Sequence, residues 1–266
     1  MKDWSSSALA ALCVLGSSGG IAFGGDVALL PDTSVSLRAS RFLNADPDFQ
    51  EDGWIGAGAG IVRVNSTTVY FSANFETVIG NVIRPVDPNQ ANYHLELGAD
   101  RPFADGKRLN FFFHHVSRHL IDRFKTDTVD WNVLGVRGTT KLRFIPGTIT
   151  GSIGHTTRAS LIAYDWEFIA RAEGDLFFGG HPSGPYYDGG VRVVTTTPNP
   201  VYTRSSFADV LAEGGWRWRR GDRSLDLFIA YQRVNDAAIL NPGVRGSALV
   251  GLHIGSGPSR EPWYWR

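Results

Sequence analysis

Hydrophobic and polar residues alternate with a period of two along most of this chain. In residues 68–80, Val69, Phe71, Ala73, Phe75, Thr77 and Ile79 fall on one face, and Tyr70, Ser72, Asn74 and Glu76 on the other. Successive residues of an extended strand point to opposite sides, so such a segment has one apolar and one polar face. Residues 92–101 repeat the pattern, with Tyr93, Leu95, Leu97 and Ala99 opposing His94, Glu96 and Asp100. Residues 165–175 set Trp166, Phe168, Ala170 and Ala172 against Glu167, Arg171 and Glu173; residues 209–219 set Val210, Ala212, Trp216 and Trp218 against Asp209, Glu213 and Arg217. Segments of the same kind cover 35–42, 54–64, 109–121, 129–139, 148–156, 190–196, 225–234 and 247–254. No helical stripe of comparable quality competes. The pattern predicts an all-β chain of about twelve antiparallel strands, with ten as the alternative count.

Amphipathic strands build a soluble sandwich when their apolar faces meet inside. They build an outer-membrane β-barrel when those faces meet lipid and the polar faces line the interior. Three features favour the transmembrane barrel. The segments are near the roughly 9–11 residues that cross a bilayer when tilted. Trp54, Trp131, Trp166, Trp218 and Tyr231 stand toward segment ends, where an interfacial girdle is expected. Connections alternate in length, short at 65–66, 104–107 and 220–223, long at 44–53, 81–91, 197–205 and 235–246. Residues 179–189 are the exception, a long connection on the short side.

Composition agrees. Charged residues are only 20% of the chain, and 26 basic side chains balance 26 acidic ones, so nothing suggests a nucleic-acid partner. Residues 1–24 read as a cleaved export signal: Lys2, an apolar core at 8–15, and an Ala22-Phe23-Gly24 step suited to cleavage. Residues 25–266 would then form the barrel. The expected location is the bacterial outer membrane, with its lipids and lipopolysaccharide as partners and the barrel-assembly machinery engaged during biogenesis. The one cysteine, Cys13, lies in the leader, and the seven histidines are too scattered for a recognisable metal spacing. No metal and no cofactor is therefore expected. Gly56, Gly58 and Gly60 resemble a dinucleotide fingerprint, but no helix follows them, and they read as inward positions that leave space beside bulky neighbours.

Two groups of residues carry candidate chemistry. Glu76, His94, Glu96, Asp100, Glu167, Arg171, Glu173, Glu213, Arg217 and Asp226 are placed on the lumen side. They serve either a packed interior or a narrow charged passage. The second group lies in Leu-Asn-Phe-Phe-Phe-His-His-Val-Ser-Arg-His, residues 109–119. Leu109, Phe111 and Phe113 begin a lipid-facing series whose parity continues through His115, Ser117 and His119. Polar groups facing hydrocarbon need a reason. The strand is either leaving the membrane there, turned by a bulge, or catalytic. Imidazole and hydroxyl two residues apart on one face make a base-activated nucleophile. Asp127 has suitable parity to orient His115, whereas Asn132 requires a register shift.

His115-Val116-Ser117 resembles the His-x-Ser of outer-membrane phospholipase A and of lipid A deacylase barrels, with Arg118 where those families have Asn. The resemblance implies an acyl hydrolase with Ser117 as nucleophile and His115 as base. The same stretch is similar to the His-x-Ser-Ser-His-Leu-Gly-Asp signature of a bacterial family of unknown function, exported and β-rich; that likeness implies location and fold, not activity. The sequence thus supports a non-enzymatic structural or narrow-channel barrel and, as the alternative, a lipid-face esterase.

Overall fold

A computed structural model describes residues 21–23, 26–43, 46–121, 129–177, 181–198, 204–236 and 243–257. Its strands are β1 (Ile21–Phe23), β2 (Val27–Leu29), β3 (Thr33–Phe42), β4 (Glu51–Val64), β5 (Thr67–Gly80), β6 (Asp87–Pro102), β7 (Arg108–Leu120), β8 (Val129–Lys141), β9 (Thr148–Ser160), β10 (Tyr164–Asp175), β11 (Ser183–Thr196), β12 (Ser206–Arg220), β13 (Arg223–Val234) and β14 (Arg245–Ser256). From β3 to β14 every strand pairs antiparallel with its chain neighbours. β14 returns to β3, with Leu249 opposite Phe42 and Ser256 opposite Val35, which closes a twelve-stranded barrel.

β2 and β3 lie in succession along β4, Val27 opposite Val64 and Thr33 opposite Ala59. They are one strand broken at Leu30, Pro31 and Asp32, where Leu30 takes a left-handed backbone (φ 47°) and Pro31 has no N–H to offer a ladder. β1 pairs with β2. Residues 1–20 and 24–25, most of the expected export signal, lie outside the described residues.

The barrel strands run from 10 to 16 residues. At about 3.3 Å per residue and the usual tilt, the shortest just covers the apolar band of about 25 Å that an outer-membrane barrel presents, and the longest extend well beyond it. Burial alternates as the pattern requires. Tyr70, Ser72, Asn74 and Glu76 are buried inside β5, while Leu97, Phe111, Leu134, Leu227, Ile229 and Leu252 stand exposed on the outside. An apolar belt of this extent is a liability in water and a requirement in lipid.

Two expectations are corrected. Trp54 and Trp131 belong to the interior: both are buried, Trp54 against the His94 ring and Trp131 against Tyr164. Trp54 shares the parity of Gly56 and Gly60, and Trp131 that of Val133, both inward-facing. Trp166, Trp218 and Tyr231 are exposed, as expected of a girdle. The second correction concerns 179–189, most of which is not a loop. β11 already starts at Ser183, and Tyr186 and Arg192 point inward. Gly184, Pro185, Gly189 and Gly190 look like turn residues, yet Gly190 serves close approach: a Cβ there would lie 2.4 Å from the Ala170 carbonyl oxygen.

The outward face gives a direct test. Leu227 is half exposed near the middle of β13. Leu227→Arg is expected to cost about 2–4 kcal/mol of folding stability in lipid vesicles, read by urea titration of the heat-modifiable gel shift. In a water-soluble barrel it would be nearly neutral.

Candidate functional site on the lipid-facing wall

The inward polar groups are paired or hydrogen-bonded in place. Glu76 accepts from Asn92 Nδ2 (2.6 Å). Glu96 accepts from Tyr70 (2.5 Å) and Arg137 (3.0 Å). Arg192 bridges Glu167 (2.6 Å) and Asp209 (3.0 Å). Arg171 meets Glu173 (2.9 Å) and Asp188, while Arg38 meets Glu213 (2.6 Å). Arg217 meets Asp226 and Asp175, each at 2.8 Å. Asp100 pairs with Arg108 beside the turn at Ala104–Gly106, and the His94 ring stacks on His114 at 5.7 Å. Of the anticipated residues, Arg217 meets Asp226 and Arg171 meets Glu173; the partners of the others, Asn92, His114, Arg137, Arg108, Arg192 and Arg38, are not among them.

Toward the long loops the interior is packed. Phe112, Val116, Trp131, Val133, Tyr164, Val194 and Phe207 form one buried cluster. Phe42, Phe228, Val234 and Leu249 form another, closed by Phe49 from the connection between β3 and β4. Toward the short turns a cavity of about 610 Å³ remains, lined in part by Arg38, Arg171, Asp188, Glu213, Arg217 and His253.

On the outer wall, β7 pairs without interruption with β6 from Pro102–Arg108 to Gln90–Leu120, and with β8 from Arg108–Thr139 to Arg118–Val129. No bulge turns its faces. Asn110, Phe112, His114 and Val116 are buried inside, and Phe111 and Phe113 are exposed outside. His115, Ser117 and His119 follow the outward parity.

Two hydrogen bonds organise this outward set. His115 Nδ1 lies 2.7 Å from Asn132 Oδ1, and Ser117 Oγ lies 2.6 Å from His119 Nε2. An amide oxygen only accepts, so His115 Nδ1 donates in this contact. Ser117, 8% exposed, faces Tyr93 on β6 and Asp130 on β8. The Tyr93 ring meets His119 edge-on at 5.4 Å and rests against Phe75 at 5.2 Å.

The expected orienting residue, Asp127, lies outside the described residues. Asn132 needs no register shift: it stands directly opposite His115. The irregularity falls on the far side of β8, between Asn132 and Val133 in the pairing with β9. Arg118 points the other way. It is buried in the lumen, donating to the Asp236 carbonyl (2.5 Å) with its guanidinium over the Trp131 ring (5.4 Å). Sequence reading placed His119 on the outer face but gave it no role. Its signal was the His-x-Ser-x-His symmetry about Ser117.

No protein-family model and no curated protein matches the chain. Solved structures do. The outer-membrane phospholipase of Salmonella typhi, a dimer with bound calcium, matches at a TM-score of 0.52 and 10% identity, covering 85% of this chain and 90% of that one. Outer membrane phospholipase A from Escherichia coli, solved as an N→A active-site mutant, matches at 0.52 and 9% identity, covering 86% and 91%. The translocator domain of autotransporter NalP from Neisseria meningitidis gives a TM-score of 0.41 at 10% identity, covering 88% and 89%. The fold is that of an outer-membrane β-barrel. Among the described residues, no group of three or more His, Cys, Asp or Glu side chains gathers as a metal site.

Arg192 tests the interior packing. Arg192→Ala leaves Glu167 and Asp209 as uncompensated buried carboxylates. It is expected to destabilise the barrel by about 3–5 kcal/mol, measured by denaturant unfolding in vesicles.

Proposed function

We propose that this protein is an outer-membrane acyl hydrolase that acts from its lipid-facing wall on phospholipid or lipopolysaccharide esters. The observation that carries this reading is the outward pair of hydrogen bonds, His115 to Asn132 and Ser117 to His119. Placing two imidazoles and a hydroxyl on the face that β7 opens with Leu109, Phe111 and Phe113, beside an amide on β8, is costly, and an acyl ester is the substrate that such a face meets. Tyr93, opposite Ser117, is of the residue type that marks headgroup depth, where ester linkages lie. The phospholipase of similar fold was solved with an active-site asparagine replaced by alanine, and Asn132 is the residue that fixes an imidazole here.

The chemistry follows from the groups present. Ser117 Oγ attacks the ester carbonyl, and its proton passes to an adjacent imidazole. The alkoxide leaves with that proton, leaving an acyl-serine. Water then attacks the acyl carbon and releases the fatty acid, restoring Ser117. His115, held through Nδ1 by Asn132, keeps one fixed orientation beside the nucleophile. Export by removal of residues 1–24, insertion by the barrel-assembly machinery and residence in the outer membrane belong to the same proposal.

A second reading, a passage for small solutes, has the turn-side cavity in its favour. The clusters of the loop-side half oppose it.

The test is fatty-acid release from phospholipid and lipopolysaccharide by refolded protein in detergent. Ser117→Ala is expected to abolish release, and Asn132→Ala to lower it by up to about tenfold. If protein with the gel shift of a closed barrel releases nothing that depends on Ser117, the hydrolase reading is overturned.

A further inference from the structure

Ser117 lies midway between two histidines on one face of one strand, and spacing alone makes them equivalent partners. Residues i and i+2 on a strand are about 7 Å apart at the backbone, within reach of an imidazole in either direction. The side chains break the symmetry. His115 turns sideways to β8, its Nδ1 bound to Asn132. His119 turns back along β7, its Nε2 at 2.6 Å from Ser117 Oγ. The His119 ring is braced on the β6 side by Tyr93, which rests in turn on Phe75 of β5.

We propose that His119, rather than His115, is the base that takes the proton of Ser117, so that the nucleophile works in a His-x-Ser-x-His frame. This rests on the hydrolase reading above and names a catalytic residue within it. In the acylation step, Oγ–H donates to His119 Nε2. As the Oγ–C bond forms, the proton moves to Nε2; as the ester C–O bond breaks, the imidazolium returns it to the departing alkoxide oxygen. In deacylation the same nitrogen takes a proton from water and gives it back to Ser117. His115 and Asn132 hold the opposite flank of the nucleophile as a positioning pair.

The experiment compares Ser117→Ala, His119→Gln and His115→Gln in refolded, heat-modifiable protein. Glutamine at 119 reaches as far as Nε2 and bonds to a hydroxyl, but is not a base, so it preserves structure while removing proton acceptance. Two readouts are used: covalent labelling of Ser117 by a fluorophosphonate, followed by mass spectrometry, and the pH profile of fatty-acid release. With His119 as base, His119→Gln slows both labelling and release about a hundredfold and removes the imidazole limb of the pH profile. His115→Gln keeps that limb and loses about tenfold or less. If His119→Gln labels at the wild-type rate while His115→Gln abolishes labelling and the pH limb, the assignment is overturned and His115 is the base. If Ser117 is not labelled and Ser117→Ala releases fatty acid like the wild type, it is the hydrolase reading that fails.

Discussion

A backbone in hydrocarbon finds no water to bond to, and the pairing of β14 with β3 is what meets that demand here. Closure removes the sheet edges and fixes one inside and one outside for all twelve strands. Parity then becomes binding, because a one-residue slip would exchange every lipid-facing side chain for a lumen-facing one. The exposed Leu, Ile and Phe residues, the buried ion pairs and the outward His115 and Ser117 are all consequences of this one ring of backbone hydrogen bonds.

The interior answers a different demand. A ring of this size encloses more space than backbone can fill, and the chain fills the loop-side half with aromatic and aliphatic clusters. Charges there are tolerated where they meet an opposite charge at short range, as Arg192 meets Glu167 and Asp209. Glycine contributes by absence: a Cβ on Gly56 would fall 2.1 Å from Asn74 Oδ1, so that amide occupies space the strand gives up.

Much of this was legible in the sequence, since a period of two survives any uncertainty about tertiary structure. The strands, their faces and the outward parity of His115 and Ser117 could all be read from it. Trp54 and Trp131 were misplaced because an indole suits an interface and a packed interior equally well; only the parity of Gly56 and Val133 separated the two. β11 was cut short because glycines that permit close backbone contact look the same as glycines that permit turns. Asn132 was among the candidates, but its register opposite His115 was not legible, for another reason. Which residue of β8 faces His115 depends on how the chain crosses residues 121–128, and no local pattern encodes that register.

Arg118 separates Ser117 from His119 in the chain but crosses the wall to the lumen, where it holds the Asp236 carbonyl between β13 and β14. Tyr164 of β10 and Arg204 converge on the Asp236 carboxylate from other sides. The stretch of wall that carries Ser117 is thereby moored to the far side of the barrel. On the proposed hydrolase reading, a substrate diffusing in the bilayer would meet a hydroxyl whose stiffness is set in a compartment it never enters, and a change deep in the lumen would be felt on the lipid side.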